Sequence, residues 1–503
     1  MSDRKAAGLY KFQMSSNGLA EKVLRGSAYS VTSSMFTLVL GLTRAILLAR
    51  LLAPAYFGVV ALAMFYVGLV SQLRSLGLDQ AFIHQQNNQE KFLRTYFTLR
   101  VLTSLVPFLA LAASVPFLSK LYPHMPQFPQ VLIALLGVEL FRSIVFVQES
   151  ILRKSLAFRQ LAITDIVASI SMTLIAPLLA WQGLGVWALV SEQAVGIFAR
   201  LIMVWIIFNM WSPWFGWDKK IARWFFEYGK SVWVTGNLSF LVDRFDDLWV
   251  GTVLGKNPLG YYSRAYEFAR YPRRVVANPL VGVFMPTFAR LQEDRTKLSR
   301  AFYRASYVIL RTGILVAGAF ALIMPEFIHL IIGDKWLPML LTFRLMLIYT
   351  LLDSLLLLSR SLLLAVGRPK MLEVVLFSQT AFFVPAVILG AFVWGINGVA
   401  LAADGMLVVG ALVMYHQLRR LVDFSLSRLG FWPLAVFMPS FAAGLWVEHG
   451  RLAQNVWLIA GWKLVIFVVL YVALLGAIER VELIRGVREA WASMRHNESG
   501  AVS

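Results

Sequence analysis

The 503-residue sequence contains no cysteine and few charged side chains. The absence of thiols excludes disulfides, thiolate nucleophiles, iron–sulfur clusters and zinc–thiolate sites. Charged residues make up only 15% of the chain, whereas soluble domains contain about 25%. Hydrophobic residues make up 59%, more than a soluble fold of this length can bury, so lipid must surround part of the chain.

Nucleotide-binding and metal-binding motifs are also missing from the sequence. Gly229-Lys230-Ser231 resembles the end of a P-loop, but a P-loop requires glycine where this chain has Trp224. The six histidines show no paired spacing typical of metal ligands. The sequence therefore predicts no metal site and no nucleotide as cofactor or partner.

About fourteen apolar stretches are each long enough to cross a ~30 Å hydrocarbon core at 1.5 Å per residue. They predict an all-α polytopic membrane protein. The predicted helices lie at 27–50, 57–77, 96–119, 130–152, 160–181, 185–209, 230–254, 259–289, 304–332, 337–366, 371–394, 397–418, 430–447 and 455–478.

The loop charges predict the orientation of these helices. With the N-terminus in the cytoplasm, most Lys and Arg residues fall in cytoplasmic loops, and the opposite loops contain only Lys120, Lys256, Lys335 and Arg451. This asymmetry predicts a multi-pass protein of the inner or plasma membrane with both termini cytoplasmic. It accounts for most of the net charge of +20 without a nucleic-acid partner. The longest external loop, 120–129, has no carboxylate pair, so no enzymatic activity is expected.

An internal repeat divides the predicted helices. Residues 51–58 (LLAPAYFG) and 253–260 (VLGKNPLG) lie 202 positions apart, each between a first and a second helix. A further similarity joins the stretches that begin at Gly185 and Gly398. Six helices therefore repeat in parallel, which predicts two six-helix lobes around a central cavity. The predicted segments are a cytoplasmic N-terminal segment 1–25, an N-lobe 26–210, a linker 211–229, a C-lobe 230–420, two extra helices 430–478 and a cytoplasmic tail 479–503.

Some basic residues lie within the predicted spans rather than in loops. Charges deep in a span cost at least about 2.5–3.5 kcal/mol each, so they should face a partner or a hydrated cavity. They are Arg44, Arg50, Arg74, Arg100, Arg142, Arg200, Arg244, Arg264, Arg270, Arg273, Arg274, Arg311, Arg344, Arg360 and Lys463.

Helical spacing predicts polar faces on three of these spans. At 100° per residue, one arc of about 120° on the eighth helix holds six of its polar residues. These are Arg264, Glu267, Arg270, Tyr271, Arg274 and Asn278. The first helix has a comparable face with Ser30, Ser33, Ser34, Thr37, Gly41 and Arg44, and the seventh has Thr235, Ser239, Asp243 and Asp246, next to Asp247.

Two interpretations of these faces remain open. One is a salt-bridge network that locks the lobes together, for example Arg44 with Asp246 or Asp247. The other is a hydrated cavity for an anionic ligand, which the excess of arginine on the eighth helix favours, because guanidinium groups pair bidentately with phosphate or carboxylate.

Several stretches resemble the polysaccharide flippases (Wzx type) of the multidrug/oligosaccharidyl-lipid/polysaccharide exporter superfamily. They are residues 49–83, 243–272 and 283–305, with a weaker match at 332–338, and the Leu-Gly-Tyr-Tyr-Ser-Arg-Ala-Tyr pattern at 259–266 is the most specific. The resemblance covers the first twelve helices and implies two six-helix bundles whose cavity alternates its access.

The resemblance also implies a ligand, a polyprenyl-diphosphate-linked oligosaccharide moved from the cytoplasmic to the outer leaflet. On this basis the candidate diphosphate contacts are Arg44, Arg264, Arg270 and Arg274, with Tyr271 and Asn278 in the same cavity. The candidate gating, sugar-binding or ion-coupling residues are Asp243, Asp246, Asp247 and Glu267.

Two other functions stay open at this point. A cation-coupled drug or metabolite antiporter belongs to the same superfamily, and a non-transporting scaffold of a polysaccharide assembly complex belongs to another class. Membrane potential, Na⁺ or H⁺ could supply the driving force. Membrane lipid and polysaccharide polymerase or export proteins are further candidate partners, and the sequence does not identify the glycan.

Overall fold

The computed structural model describes residues 16–85, 90–212, 214–449 and 455–480, and within these ranges the regular structure is entirely helical. In chain order, the α-helices are α1 (Ser16–Leu51), α2 (Pro54–Ser75), α3 (Leu78–His84), α4 (Glu90–Leu121), α5 (Phe128–Lys154), α6 (Phe158–Trp181), α7 (Val186–Ile202), α8 (Lys219–Val253), α9 (Lys256–Ala269), α10 (Tyr271–Val275), α11 (Ala277–Leu291), α12 (Arg295–Phe327), α13 (Leu340–Ala365), α14 (Pro369–Leu418), α15 (Leu426–His449) and α16 (Val456–Ile478).

The predicted all-α membrane fold is confirmed. Eleven helical segments of the described chain are long and apolar enough to cross a membrane. One of them, α14, corresponds to two predicted spans, because its backbone is interrupted at Trp394 and Gly395. The eleven do not include α8 or α9–α11, which carry the charged clusters of the seventh and eighth predicted helices. The predicted number of about fourteen is consistent with this arrangement.

The interruption in α14 has the same glycine conformation as the start of α7. Gly395 has φ 58° and ψ −138°, almost the same as Gly185 at the start of α7, with φ 55° and ψ −122°. This conformation strongly favours glycine. Gly185 and Gly395 therefore share a backbone conformation, and the pairing of Gly185 with Gly398 stays a prediction.

Of the helices that begin earlier than predicted, α8 and α12 are each started by a polar cap, while α1 begins at Ser16, inside the predicted segment 1–25. The side chain of Asp218 accepts hydrogen bonds from the backbone N–H groups of Lys220 and Ile221 at 2.9 and 3.1 Å. The helix therefore starts inside the predicted linker 211–229. Asp294 caps α12 in the same way through Lys297. Hydropathy does not mark such polar first turns, nor does it mark the short helix α3.

The eighth predicted helix is not continuous, which corrects the prediction of a single polar face. It is divided into α9, α10 and α11, with breaks at Arg270 and Val276. Pro272 and Pro279 follow these breaks closely. Proline cannot donate a backbone hydrogen bond, and its ring clashes with the carbonyl group four residues earlier. The 100° spacing therefore does not extend from residue 264 to residue 278.

The described chain forms two compact units. The first comprises residues up to 266 together with 373–409, and the second comprises 267–372 with the residues from 410 onward. In the first unit, α6 packs against α1 and α7, and α2 packs against α5 and α8. In the second, α12 packs against α13, α15 and α16. These boundaries differ from those of the predicted N-lobe and C-lobe, and the six-plus-six division stays a prediction.

A buried ion pair joins α16 to α12 in the second unit. The Nε atom of Arg311 donates to Oε2 of Glu479 at 2.7 Å, and the hydroxyl of Tyr307 donates to the same oxygen at 2.5 Å. Burial raises the pKa of the Glu479 carboxyl, but these hydrogen bonds and the charge of Arg311 lower it more. The pKa of Glu479 therefore lies below its ordinary value.

This depressed pKa predicts a loss of stability in acid. The contribution of Glu479 is fully present above the unfolded pKa of about 4.3 and is lost as the pH falls through the folded pKa. We expect Glu479→Gln to lower stability at neutral pH and to flatten the acid side of the stability profile, measured by thermal unfolding in detergent. The exposed Glu293→Gln serves as the control. An unchanged acid slope in Glu479→Gln would contradict the assignment.

Candidate functional site

The two repeated sequence segments meet in a reciprocal contact within the first unit. A Cβ atom added at Gly58 would overlap the backbone carbonyl oxygen of Lys256, and one added at Gly260 would overlap that of Pro54. Gly260 and Lys256 lie 202 positions after Gly58 and Pro54, so each repeat contributes the same glycine and the same carbonyl. Two repeats related by a two-fold axis would make this pattern. Glycine is required at both positions because α2 and α9 approach backbone to backbone.

The acidic cluster of α8 is engaged in internal contacts. The hydroxyl of Tyr262 donates to Oδ2 of Asp246 at 2.5 Å. The backbone N–H of Asp247 donates to Oδ1 of Asp246 at 2.9 Å. Arg244 pairs with Asp247 at 3.0 Å. Asp246 and Asp247 are buried, whereas Asp243 is exposed. Of the three aspartates, Asp243 is therefore the one with an accessible carboxylate.

The most specific sequence pattern, 259–266, now has a physical explanation. Besides Gly260 and Tyr262, it contains Arg264, whose guanidinium lies 4.5 Å from the centre of the Phe57 ring on α2. Such a cation–π contact stabilises by about 0.5–2 kcal/mol. The pattern therefore describes how α9 packs against α2 and α8.

Arg44, a predicted diphosphate contact, is held by neighbouring helices of the first unit. Its Nε lies 2.8 Å from Oε1 of Glu192 on α7, and its Nη1 donates to Oγ1 of Thr173 on α6 at 3.3 Å. The suggested pairing of Arg44 with Asp246 or Asp247 is therefore wrong. Ser33 on the same predicted polar face is buried and points towards the carbonyl oxygen of Ala162 on α6, so part of that face packs against protein.

An exchange of charges tests the role of Arg44. We expect Arg44→Ala to destabilise the protein by about 1–2 kcal/mol, because it removes charged hydrogen bonds. The double variant Arg44→Glu with Glu192→Arg should recover most of this loss in melting temperature. It should also recover function in complemented cells if the pair is structural. Recovery of stability without function would show instead that Arg44 itself is needed for substrate.

The remaining predicted residues lie in the second unit, around the short helix α10. Arg270 precedes it, Tyr271 is its first residue and is buried, and the guanidinium of Arg274 lies 5.2 Å from the centre of the Tyr271 ring. Asn278 is exposed on α11, and Glu267 is partly buried near the end of α9. Tyr271 is thus a packing residue whose ring positions Arg274.

Carboxylate partners are present for nine of the basic residues within the predicted spans. The pairs are Arg44–Glu192, Arg74–Glu139, Arg100–Asp79, Arg142–Glu139, Arg200–Glu149, Arg244–Asp247, Arg273–Asp353, Arg311–Glu479 and Lys463–Glu326. Each pair lies within one compact unit. These basic residues therefore form ion pairs inside the units, and the predicted salt-bridge network that locks the lobes together stays a prediction. Carboxylates inside predicted spans, such as Glu139 and Asp353, were the sequence signal for these pairs.

A comparison with models of protein families assigns the chain to one family. The family model described as "Polysaccharide biosynthesis protein" matches residues 47–341, more than half of the sequence. The chain belongs to the polysaccharide biosynthesis protein family. The predicted resemblance to polysaccharide flippases is confirmed at this level.

Individual relatives show how far the similarity extends. The succinoglycan biosynthesis transport protein ExoT of Rhizobium meliloti (strain 1021) is 27% identical over 63% of this chain and 64% of ExoT, slightly less than two thirds of that protein. The lipopolysaccharide biosynthesis protein WzxC of Escherichia coli (strain K12) is 23% identical over 86% of this chain and 90% of WzxC.

Solved structures confirm the fold of this family member. The lipid II flippase MurJ in an inward closed conformation aligns with a TM-score of 0.72 and 16% identity, over 91% of this chain and 99% of MurJ. An inward-facing MATE-family multidrug transporter of the MOP superfamily aligns with a TM-score of 0.54 and 15% identity. The alignment covers 83% of this chain and 97% of the transporter. The chain is a multi-pass membrane protein with the fold of this transporter superfamily.

Proposed function

We propose that this family member is a flippase for a polyprenyl-diphosphate-linked oligosaccharide in surface polysaccharide assembly. It would carry this lipid from the cytoplasmic to the outer leaflet of the inner or plasma membrane by alternating access, with both of its termini in the cytoplasm. The family and the fold support a transport role in polysaccharide biosynthesis. The lipid-linked ligand and the direction rest on the arginine residues and on the sequence resemblance.

One observation carries the proposal: the high density of arginine at α10, the short helix between the two breaks in the eighth predicted helix. Arg270 directly precedes the five-residue helix α10, Arg273 and Arg274 lie within it, and the carboxylate that pairs with Arg273 is Asp353. Discontinuous helices are a common place for substrate sites in transporters. Guanidinium groups suit a diphosphate, which is too costly to place in lipid without compensation.

The contacts of the candidate residues support a proposed division by role. We propose Arg270 and Arg274 as diphosphate contacts and the exposed Asn278 as a glycan contact. In the first unit, Arg264 is a separate candidate contact, and the pairing of Arg44 with Glu192 favours a structural role for Arg44.

The acidic candidates divide in the same way. We propose Asp243 and Glu267 for gating or for coupling to Na⁺ or H⁺, since Asp246 and Asp247 are buried and engaged in internal contacts. Membrane potential is the other driving force to be tested.

Lipid analysis of a strain that lacks this protein tests the proposal. We expect the deletion to stop export of the polysaccharide and to accumulate a lipid-linked oligosaccharide, identified by mass spectrometry. In complemented cells, Arg270→Ala should lower export by about tenfold or more, because it removes charged hydrogen bonds worth about 1.5–3 kcal/mol. Arg270→Lys should recover part of it. The exposed Arg300→Ala, at equal expression, is the matched control.

Other outcomes would assign the alternatives. An unchanged lipid pool with loss of polysaccharide would indicate a scaffold of the assembly complex. A change in drug resistance with normal polysaccharide would indicate an antiporter. Wild-type export by both Arg270→Ala and Arg274→Ala would show that the broken helix does not bind the diphosphate.

A further inference from the structure

Three aromatic side chains are exposed in the segment that joins α7 to α8. The exposed fractions are 67% for Trp214, 63% for Phe215 and 57% for Trp217. We call residues 214–218 the aromatic strap. The strap follows the candidate membrane span Val186–Ile207 after a few residues, so its rings are within reach of the membrane surface.

The backbone of the aromatic strap is fixed to α4. The N–H of Gly216 donates to Oγ1 of Thr98 at 3.0 Å, and the N–H of Asp218 donates to Oγ1 of Thr95 at 3.2 Å. A Cβ atom added at Gly216 would lie 2.8 Å from the Cβ of Arg94, so the strap lies directly on the helix. These contacts hold the strap in place and leave its aromatic rings on the outside.

Basic side chains directly follow the strap. Lys219, Lys220 and Arg223 are exposed on the first turns of α8. Arg223 pairs with Glu227 at 2.8 Å, and Asp218 caps the helix through the N–H groups of Lys220 and Ile221. Aromatic rings with lysines beside them match the boundary between acyl chains and anionic head groups.

We propose that the aromatic strap binds the interfacial region of a leaflet that contains anionic phospholipid. The rings of Trp214, Phe215 and Trp217 lie at the level of the head groups and the first acyl carbons. Lys219 and Lys220 contact the phosphate groups of the anionic lipid. The strap thereby anchors the connection between α7 and α8 in the membrane, and this role does not depend on the transported substrate.

The absence of cysteine makes a direct test possible, because one introduced thiol can be labelled selectively. Trp217→Cys would carry an environment-sensitive fluorophore in the full-length protein, reconstituted in phosphatidylcholine vesicles with or without phosphatidylglycerol. We expect a blue-shifted emission that brominated acyl chains quench, and stronger quenching when phosphatidylglycerol is present. Trp214→Cys gives a second position, and the exposed Glu293→Cys, between α11 and α12, is the control that should remain unquenched.

A second pair of variants tests the lysines. In the double variant Lys219→Gln with Lys220→Gln, phosphatidylglycerol should no longer increase the quenching of the label. The quenching seen in phosphatidylcholine alone should remain. The exposed Lys297→Gln should change neither result. Labels at 214 and 217 as accessible to water as the label at 293 would overturn the proposal. If the labels at 214 and 217 become less accessible to water as the protein-to-lipid ratio rises, the strap contacts a second copy of the chain. That result would also overturn the proposal.

Discussion

Replacing Lys463 with methionine is expected to destabilise the protein by about 3–5 kcal/mol, because it leaves a buried carboxylate without its cation. Lys463 on α16 is fully buried and pairs with Glu326 near the end of α12, whose side chain is only 9% exposed. Thermal unfolding in detergent, followed by the loss of monodisperse protein, measures the effect.

Two further variants distinguish a lost ion pair from a general packing defect. The double variant Lys463→Met with Glu326→Gln should recover much of the lost stability, since both charges are then gone. In the exposed pair between Lys297 and Asp294, Lys297→Met should cost about 0–1 kcal/mol. A double variant no more stable than Lys463→Met would show that the pairing is not the source of the loss.

The second large effect is expected at Gly260, where a single added methyl group should be poorly tolerated. Gly260→Ala would place a Cβ against the carbonyl oxygen of Pro54 and force two helix backbones apart. Overpacking of this kind costs about 1–3 kcal/mol or more, and we expect the upper part of that range because backbone atoms cannot move aside as a side chain can. Melting temperature and export in complemented cells would both fall.

Gly282 provides the matched control, because it also lies in a helix but has no atom within 4 Å of an added Cβ. Gly282→Ala should be neutral or should stabilise by up to about 1 kcal/mol, as alanine favours helix. The double variant Gly58→Ala with Gly260→Ala should cost less than the sum of the single variants, because the first substitution already separates the helices. Strict additivity would mean that the two glycines do not share one contact.

Hydropathy alone predicted most of the membrane helices, and local chemistry explains the errors. Asp218 and Asp294 each begin a helix whose first turns are polar, so a search for apolar stretches starts too late. Pro272 and Pro279 break the eighth helix, and their positions were visible in the sequence. The predicted single polar face is wrong because the helix does not continue through these prolines.

The ion pairs could not be predicted to the same degree. Arg44 and its partner Glu192 are separated by 148 positions, and Arg311 and Glu479 by 168. Helical spacing specifies which residues share a face of one helix, but not which other helix lies opposite. Composition therefore indicated that buried cations need partners, and only the packing identified them.

The reciprocal contact of Gly58 and Gly260 also bears on the origin of the chain. Each repeat offers the same glycine and the same carbonyl group, the relation that two identical subunits make across a symmetric dimer interface. A half-length chain could form this contact with its own copy before gene duplication and fusion. In such a dimer one substitution would alter both halves of the contact, whereas in the fused chain each half can change independently.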